Sequence, residues 1–347
     1  MAKNSTKTRK VKVEEINEVE EDLEASNKTD ELEQEPEVNL EDLPGVGPTI
    51  AEKLSEAGFA TYEALAVASP KELSAATGVG EATAQKIIFS ARSKLNIGFT
   101  TAEHILNQRK EVKLLTTGSE KLDAMVGGGL ETRAIVEVYG EFRTGKTQIA
   151  HQLCVTVQLP HDQGGLEGNA LYIDSEGTFR PERLLQMAAR YNLDGNELLK
   201  NVLYARAYNS SHQMVIIDNS VKLIREKHIK LVIVDSVMSH FRAEYIGRGT
   251  LSERQQKLNK FVHKLLQIAE AYNVIVFITN QVMDSPGVFF GDPTRPVGGH
   301  VLAHSSTYRI YLRKSKGEKR VARLIDSPCL PEGEAIFGIT ERGIEDP

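Results

Sequence analysis

One eight-residue segment constrains the fold of this chain more than any other feature. Residues 140–147 read Gly-Glu-Phe-Arg-Thr-Gly-Lys-Thr, which fits the pattern G-x-x-x-x-G-K-[ST] of a phosphate-binding loop. The β-branched, apolar run 134–139 before it predicts a strand, and residues 148–155 after it predict a helix. Such a loop turns backbone N–H groups and a helix N-terminus toward a polyphosphate, so this context favours nucleotide binding over a chance glycine turn.

The loop pattern assigns roles to two side chains. Lys146 would reach the β- and γ-phosphates, and the Thr147 hydroxyl would bind the Mg²⁺ ion that accompanies a nucleotide. We expect the nucleotide to contact the whole loop and the next residue: Gly140, Glu141, Phe142, Arg143, Thr144, Gly145, Lys146, Thr147 and Gln148.

A second motif downstream supports this prediction. Residues 231–235 read Leu-Val-Ile-Val-Asp, a buried strand that ends in a carboxylate, as in a Walker B motif. A buried charge needs a partner, and Mg²⁺ held by Thr147 would supply one. Asp235 could instead cap a following helix, but the loop upstream favours a metal ligand.

A carboxylate at another strand end is suited to hydrolysis. Glu176 ends the predicted strand 171–176, and ligands of such sheets collect at the carboxyl ends of the strands. Hydrolysis of a phosphoanhydride needs a group that orients or deprotonates the attacking water, and Glu176 is our candidate. Asp174 competes for the same role.

Gln281 lies just beyond the predicted strand 274–279, where a neutral amide beside the γ-phosphate could sense it. We therefore assign catalysis to Lys146, Glu176 and Gln281. Directly after Gln281, the chain enters the Gly- and Pro-rich stretch 282–300, which is too long to be an ordinary connection. A second irregular stretch, 241–249, carries arginines among glycines. Both stretches suit DNA phosphates, although two solvated surface loops are an equally good interpretation.

The N-terminal charge distribution predicts a separate tail. Residues 1–39 hold 12 of the 48 acidic and 6 of the 42 basic residues, so the net charge of −6 lies there and the remaining 36 of each sign cancel. Few apolar residues are available to offset chain entropy, so we predict a disordered acidic tail. Its basic cluster could touch DNA, but a solvated tail without a specific partner is the simpler interpretation.

Residues 40–96 contain an internal repeat. Gly45-Val46-Gly47 and Gly78-Val79-Gly80 each precede a helical stretch with small and apolar residues on one face. This resembles a pair of helix-hairpin-helix motifs, whose hairpin amides would meet a DNA phosphate without reading bases. The alternatives are ordinary helix connections or a protein-docking module.

Residues 97–115 form a predicted linker, and 116–347 form the core. The linker segment 98–102 could add to the sheet edge of a neighbouring molecule, although the pattern alone favours an intramolecular linker. In the core, strand-like runs alternate with helical ones, which predicts a mainly parallel twisted sheet flanked by helices. Two distant cysteines indicate no disulfide framework, and we predict no membrane span.

From about residue 40 to its end, the chain resembles the RadA recombinases, archaeal relatives of bacterial RecA and of the eukaryotic strand-exchange recombinase. Besides both nucleotide motifs, the resemblance is carried by Gly98-Phe99-Thr100-Thr101-Ala102, by 174–183 (Asp-Ser-Glu-Gly-Thr-Phe-Arg-Pro-Glu-Arg), by Thr279-Asn280-Gln281-Val282, by Gly298-Gly299-His300, and by 326–331 (Asp-Ser-Pro-Cys-Leu-Pro). The chain departs from the archaeal pattern at one place. Archaeal members usually have Gly-Ser at positions 143 and 144, whereas this chain has Arg143-Thr144, like the eukaryotic members.

The resemblance implies further site residues. Phe99 and Ala102 resemble the motif that docks on the next protomer, which reverses the preference for an intramolecular linker. Glu176 resembles the water-activating carboxylate and Gln281 the γ-phosphate sensor. The remaining implied residues are Arg183 on adenine; His304 between ATP and the second DNA loop; Asp326, Ser327 and Pro328 over a neighbour's nucleotide; Arg242, Arg248 and Arg254 in or near the first DNA loop; and Val288, Gly298 and Gly299 in the second.

The fold class implied is a RecA-like P-loop ATPase core preceded by a small all-α helix-hairpin-helix domain. The implied function is an ATP-dependent recombinase that assembles on single-stranded DNA and exchanges strands with duplex DNA in double-strand-break repair. ATP and Mg²⁺ are the expected cofactors. DNA, other copies of the chain in a helical filament or ring, and mediator or paralogue proteins are the expected partners, in the cytoplasm. A non-exchanging mediator, a hexameric helicase and a small-molecule kinase are the alternatives.

Overall fold

The computed structural model describes residues 39–95, 100–284 and 294–347. A nine-stranded sheet organises the core, and its central strands are parallel. The strands are β1 (Leu114–Leu115), β2 (Leu130–Glu131), β3 (Ala134–Gly140), β4 (Asn169–Asp174), β5 (Val202–Arg206), β6 (Ile229–Asp235), β7 (Ile275–Asn280), β8 (Val282–Asp284), β9 (Thr294–Pro296), β10 (Tyr308–Lys314), β11 (Lys319–Asp326), β12 (Gly333–Thr340) and β13 (Gly343–Glu345).

The order across the large sheet is β13-β12-β11-β10-β3-β7-β6-β4-β5. The predicted strands 134–139, 171–176, 231–235 and 274–279 are present as β3, β4, β6 and β7, each within two residues of its predicted start. Strands β11, β12 and β13, which extend the sheet antiparallel from β10, were not predicted from the sequence. Two small pairs, β1–β2 and β8–β9, lie outside the large sheet.

Helices cover the sheet and form the N-terminal region. They are α1 (Pro48–Glu56), α2 (Tyr62–Val67), α3 (Pro70–Thr77), α4 (Glu81–Lys94), α5 (Ala102–Gln108), α6 (Glu120–Met125), α7 (Lys146–Thr156), α8 (Pro181–Ala188), α9 (Gly195–Lys200), α10 (Ser210–Glu226), α11 (Ser239–Glu244), α12 (Leu251–Tyr272) and α13 (Gly299–Ser305). Among the described residues, no helix combines the length and apolar character needed to span a membrane.

The central strands β3, β4, β6 and β7 bury both of their faces. Successive strand residues point to opposite sides of a sheet, and Val136 and Ile233 belong to one apolar cluster whereas Ile135 and Val232 belong to another. Helix α7 packs in the first cluster, and α10 and α12 pack in the second. Burial on both faces explains why these strands read as continuous apolar runs rather than alternating ones.

The two glycine repeats have the same backbone pattern. Gly45 and Gly78 have positive φ angles of 87° and 74°, whereas Gly47 and Gly80 have φ angles of −100° and −63° and precede α1 and α4 directly. Each repeat therefore makes a left-handed turn and then begins a helix.

Helix α12 of the core holds the N-terminal helices in place. The Tyr272 hydroxyl donates to the Gly58 carbonyl at 2.8 Å, and the Gln267 amide donates to the Val67 carbonyl at 2.5 Å. Lys264 pairs with Glu72, and its ammonium lies 5.7 Å from the centre of the Phe59 ring. Tyr272 also packs against the apolar cluster of these helices.

Candidate active site

The phosphate loop joins β3 to α7. A Cβ atom at Gly140 would lie 2.3 Å from the Leu312 carbonyl oxygen on β10, so only glycine fits there. Gly145 precedes α7 with a φ of 107°, a left-handed conformation that also favours glycine. The buried Thr144 hydroxyl donates to the Glu141 carbonyl at 2.9 Å and closes the turn. Arg143 has a φ of 64°, in the left-handed region that non-glycine residues seldom adopt.

Lys146 lies inside this loop. Its ammonium donates to the carbonyl oxygens of Gly140 and Glu141, both at 2.8 Å. Burial lowers the pKa of Lys146, while the nearby carboxylates of Asp235 and Glu176 oppose that shift. The ammonium is thus held at the loop by carbonyl groups, in the position where a phosphate would meet it.

Asp235 ends β6 beside the first turn of α7. Its carboxylate accepts hydrogen bonds from Thr147 Oγ1 at 2.8 Å, from the Tyr172 hydroxyl at 2.7 Å and from the Thr279 hydroxyl. Asp235 is 3% exposed, and these three partners are neutral. A divalent cation between Asp235 and Thr147 would offset this buried charge with oxygen ligands, so the residues fit Mg²⁺.

Glu176 and Gln281 meet across the site. Glu176 lies two residues beyond the end of β4, not within the strand as predicted, and Gln281 lies one residue beyond β7. Glu176 Oε1 accepts from Gln281 Nε2 and from Ser236 Oγ, both at 2.8 Å. The structure therefore brings together two residues that are 105 positions apart in sequence.

Asp174 has a different environment. Its carboxylate is fully buried and accepts hydrogen bonds from the backbone N–H groups of residues 176–179 and from Arg206. Burial alone would raise the pKa of Asp174, but these backbone donors outweigh burial and lower it. The geometry thus assigns Asp174 to holding the turn that carries Glu176, and leaves the carboxylate of Glu176 facing the site.

The phosphate loop, Glu176, Asp235 and Gln281 line a cavity of about 500 Å³. Its wall consists of residues 140–148 together with Glu176, Thr178, Asp235, Ser236, Thr279, Gln281 and Val282. Ser236 and Thr279 were not predicted from the sequence, although each adjoins a predicted site residue or strand end. Tyr172 was not predicted either, because it lies inside a strand and carries no motif signal.

Arg183 and residues 326–328 lie outside that wall. The Arg183 guanidinium donates to Gln148 Oε1 at 2.8 Å and to the carbonyls of Thr340 and Glu341 at 2.5 and 2.7 Å. Asp326 ends β11, and Ser327 Oγ accepts from the Leu330 N–H at 3.0 Å. Their implied contacts with adenine and with a neighbour's nucleotide remain predictions.

The remaining predicted residues occupy several elements. Arg242 lies on α11 and Arg254 on α12, while the backbone of Arg248 begins a short 3-10 helix. Ala102 begins α5, where the Thr101 hydroxyl accepts from the His104 N–H. His304 lies on α13 and stacks on His300 with ring centres 5.7 Å apart; Gly298 directly precedes that helix and Gly299 begins it. Phe99 and Val288 lie outside the described residues.

The central sheet, the phosphate loop and the carboxylates at the strand ends define a RecA-like P-loop ATPase. Comparison with known proteins agrees. Residues 108–347 match the family model described as Rad51, and residues 37–93 match the SAM-like helix-hairpin-helix tandem. The chain is 56% identical to the DNA repair and recombination protein RadA of Aeropyrum pernix over 309 residues, which cover 89% of this chain and 97% of that relative.

The chain belongs to the Rad51 and RadA family of recombinases. Members of this family are DNA-dependent ATPases that use ATP, bind DNA, form oligomeric filaments and exchange strands in DNA repair and recombination, and this chain is one of them. The predicted fold class, family, enzyme class and recombinase function are thereby confirmed.

Proposed function

We propose that this recombinase forms a helical filament on single-stranded DNA, with ATP and Mg²⁺ bound at the cavity, and pairs that strand with a homologous duplex. The observation that carries the proposal is the position of Gln281. Its side chain contacts Glu176 at 2.8 Å, and its backbone leads into β8, where the predicted second DNA loop begins. A single residue therefore belongs to both the nucleotide site and the start of that loop.

The cavity residues divide the chemistry among themselves. The loop amides and Lys146 would bind the phosphates, and Thr147 with Asp235 would hold Mg²⁺, which supplies charge neutralisation when bound. Glu176 would orient and deprotonate the attacking water, since it lies in the cavity wall. Its hydrogen bonds from Ser236 and Gln281 hold the carboxylate in position.

The partner contacts extend the proposal. Arg242, Arg248, Arg254, Val288 and the pair Gly298–Gly299 would meet DNA. Phe99, Ala102 and His304 would meet the next protomer, with Asp326, Ser327 and Pro328 over its nucleotide and Arg183 on the adenine. Mediator or paralogue proteins would assist assembly in the cytoplasm.

A strand-pairing assay tests this function. Purified protein, ATP, Mg²⁺ and a labelled single strand are mixed with homologous or unrelated duplex, and joint molecules are counted. We expect joints only with ATP and homology. The Phe99→Glu variant should give smaller particles by light scattering and fewer joints, because a charge cannot enter an apolar docking pocket.

Other outcomes would redirect the proposal. ATP hydrolysis and DNA binding without joint molecules would favour the non-exchanging mediator or the helicase, which a fork-unwinding assay separates. Unchanged particles for Phe99→Glu would refute the docking role of the linker and leave the recombinase function intact.

A further inference from the structure

A buried polar cluster lies behind the nucleotide cavity. It consists of Glu137 on β3, Asn280 at the end of β7 and Arg309 on β10, which are neighbouring strands in the sheet. Glu137 and Asn280 have no exposed surface, and Arg309 is 9% exposed. None of the three lines the cavity. Three buried polar side chains at the centre of a sheet are costly unless each is satisfied.

The cluster determines how the Asn280 amide is oriented. Arg309 Nε donates to Glu137 Oε2 at 2.7 Å, and Asn280 Nδ2 donates to Glu137 Oε1 at 2.8 Å. A carboxylate paired with a guanidinium only accepts hydrogen bonds, so the NH₂ group of Asn280 must face Glu137. The amide oxygen then faces away, where it accepts the Gln281 N–H at 2.8 Å.

The same amide also holds the far side of the β8–β9 pair. Asn280 Nδ2 donates to the Val297 carbonyl at 2.6 Å, and the Val297 N–H donates to the Gln281 carbonyl at 2.9 Å. Val297 directly follows β9, so both backbone groups of the residue after this strand are tied to the end of β7. One side chain therefore holds the two points at which the β8–β9 pair joins the core.

We propose that Asn280, oriented by the Glu137–Arg309 ion pair, is a positioning residue that couples Glu176 to the β8–β9 pair. Gln281 contacts Glu176 through its side chain, and its backbone is held by Asn280 and Val297. A shift of Gln281 must therefore move Val297 or break these bonds. The inference rests on the proposed function, in which the segment that begins with β8 contacts DNA. Because coupling between two sites is reciprocal, DNA bound to that segment should alter the rate of ATP hydrolysis.

Stability alone does not account for the ion pair. The desolvation of two buried charges offsets most of their attraction, and apolar residues of similar size often replace such pairs without loss. The Glu137 carboxylate fixes the orientation of the Asn280 amide, which an apolar pair would not do.

The test compares two asparagine variants of the full-length protein. Asn280→Leu keeps the branched shape of the side chain and removes its three hydrogen bonds, to Glu137, Val297 and Gln281. Asn169→Leu is the matched control, because Asn169 Nδ2 also donates to a backbone carbonyl, that of Lys227, at 2.7 Å. Asn169 lies at the start of β4, whereas Asn280 lies at the end of β7. Hydrolysis of ATP is measured with and without single-stranded DNA, together with hydrogen exchange of the Val297 amide.

For Asn280→Leu, we expect the ratio of DNA-stimulated to DNA-free kcat to fall about ten-fold, within the usual range of coupling between sites. KM for ATP should change less than kcat, and the Val297 amide should exchange faster. Asn169→Leu should retain the wild-type ratio and exchange rate. A purely structural role would lower both rates together and leave their ratio unchanged.

A second variant guards against misfolding. Glu137→Leu with Arg309→Met removes both charges at once and should unfold near the wild-type temperature, yet lose the same ratio. Wild-type ratios and Val297 protection in both variants would overturn the inference. If DNA does not stimulate wild-type hydrolysis, the proposed function fails instead, and unchanged Val297 exchange in Asn280→Leu would still overturn the positioning role.

Discussion

Helices in this protein begin after two kinds of glycine turn, which differ in whether neighbouring atoms exclude a side chain at the glycine. In the phosphate loop they do, because a Cβ atom at Gly140 would lie 2.3 Å from the Leu312 carbonyl oxygen. In the hairpin turns, Gly47 and Gly80 have negative φ angles, and a Cβ atom there would have nothing within 4 Å. The surface at these two glycines is open.

The difference shows how the two turns use the same backbone chemistry. The phosphate loop encloses its ligand between strand ends that carry Lys146, Asp235 and Glu176. In the hairpin turns, open space at Gly47 and Gly80 allows a phosphate to approach the backbone at the N-termini of α1 and α4. Four substitutions test this comparison.

The largest effect is expected for Glu176→Gln. Hydrolysis should fall roughly 10²- to 10⁴-fold, since an amide cannot take a proton from water. ATP binding should persist, because the loop of residues 140–147 is unchanged. Single-turnover hydrolysis and fluorescent-nucleotide titration measure the two. Glu182 is exposed, so Glu182→Gln is the control. Near-normal turnover by Glu176→Gln would exclude Glu176 as the group that activates water.

Gly140→Ala should unfold more easily and bind ATP poorly. The added methyl group meets the backbone of β10, and overpacking of this kind costs about 1–3 kcal/mol. Thermal unfolding with and without ATP measures the change. Gly47→Ala is the matched control with open space around it. Equal stability of the two variants would contradict the distinction between the turns.

Tyr272→Phe tests whether α12 anchors the hairpin region. The variant loses the hydrogen bond to the Gly58 carbonyl and keeps the aromatic packing, so the free energy of unfolding should fall by about 1 kcal/mol. Denaturant unfolding measures it. An unchanged unfolding curve would mean that this hydrogen bond contributes nothing to the anchoring.

The smallest effect is expected for Gly80→Ala. Alanine is a poorer N-cap than glycine, but nothing blocks its side chain, so stability should change by less than about 1 kcal/mol. If the hairpin meets a phosphate, DNA affinity at fixed salt should fall about three-fold, as expected for one weakened hydrogen bond. Unchanged affinity in this variant and in Gly47→Ala would favour a protein-docking role for this domain.

The central parallel strands β3, β4, β6 and β7 were predictable because both of their faces are buried, which leaves continuous apolar runs such as 231–234 in the sequence. Strands β11 and β12 were missed because they are partly exposed at one side of the sheet and β11 mixes charged with apolar residues. Strand β13 was missed because it has only three residues. The end of strand β4 was predicted two residues too late, at Glu176. The strand ends at Asp174, whose carboxylate accepts hydrogen bonds from the following backbone and turns the chain there.

The phosphate loop, Asp235 at a strand end and the paired Gly-Val-Gly turns follow from contiguous residues, because their chemistry depends on local spacing. The meeting of Glu176 with Gln281 across 105 positions, and of Glu137 with Arg309 across 172, depends on which strands lie side by side. Strand order arises from the packing of the whole sheet and leaves no local pattern. The tertiary structure alone therefore decides which carboxylate faces the nucleotide and which amide ties the nucleotide site to β8 and β9.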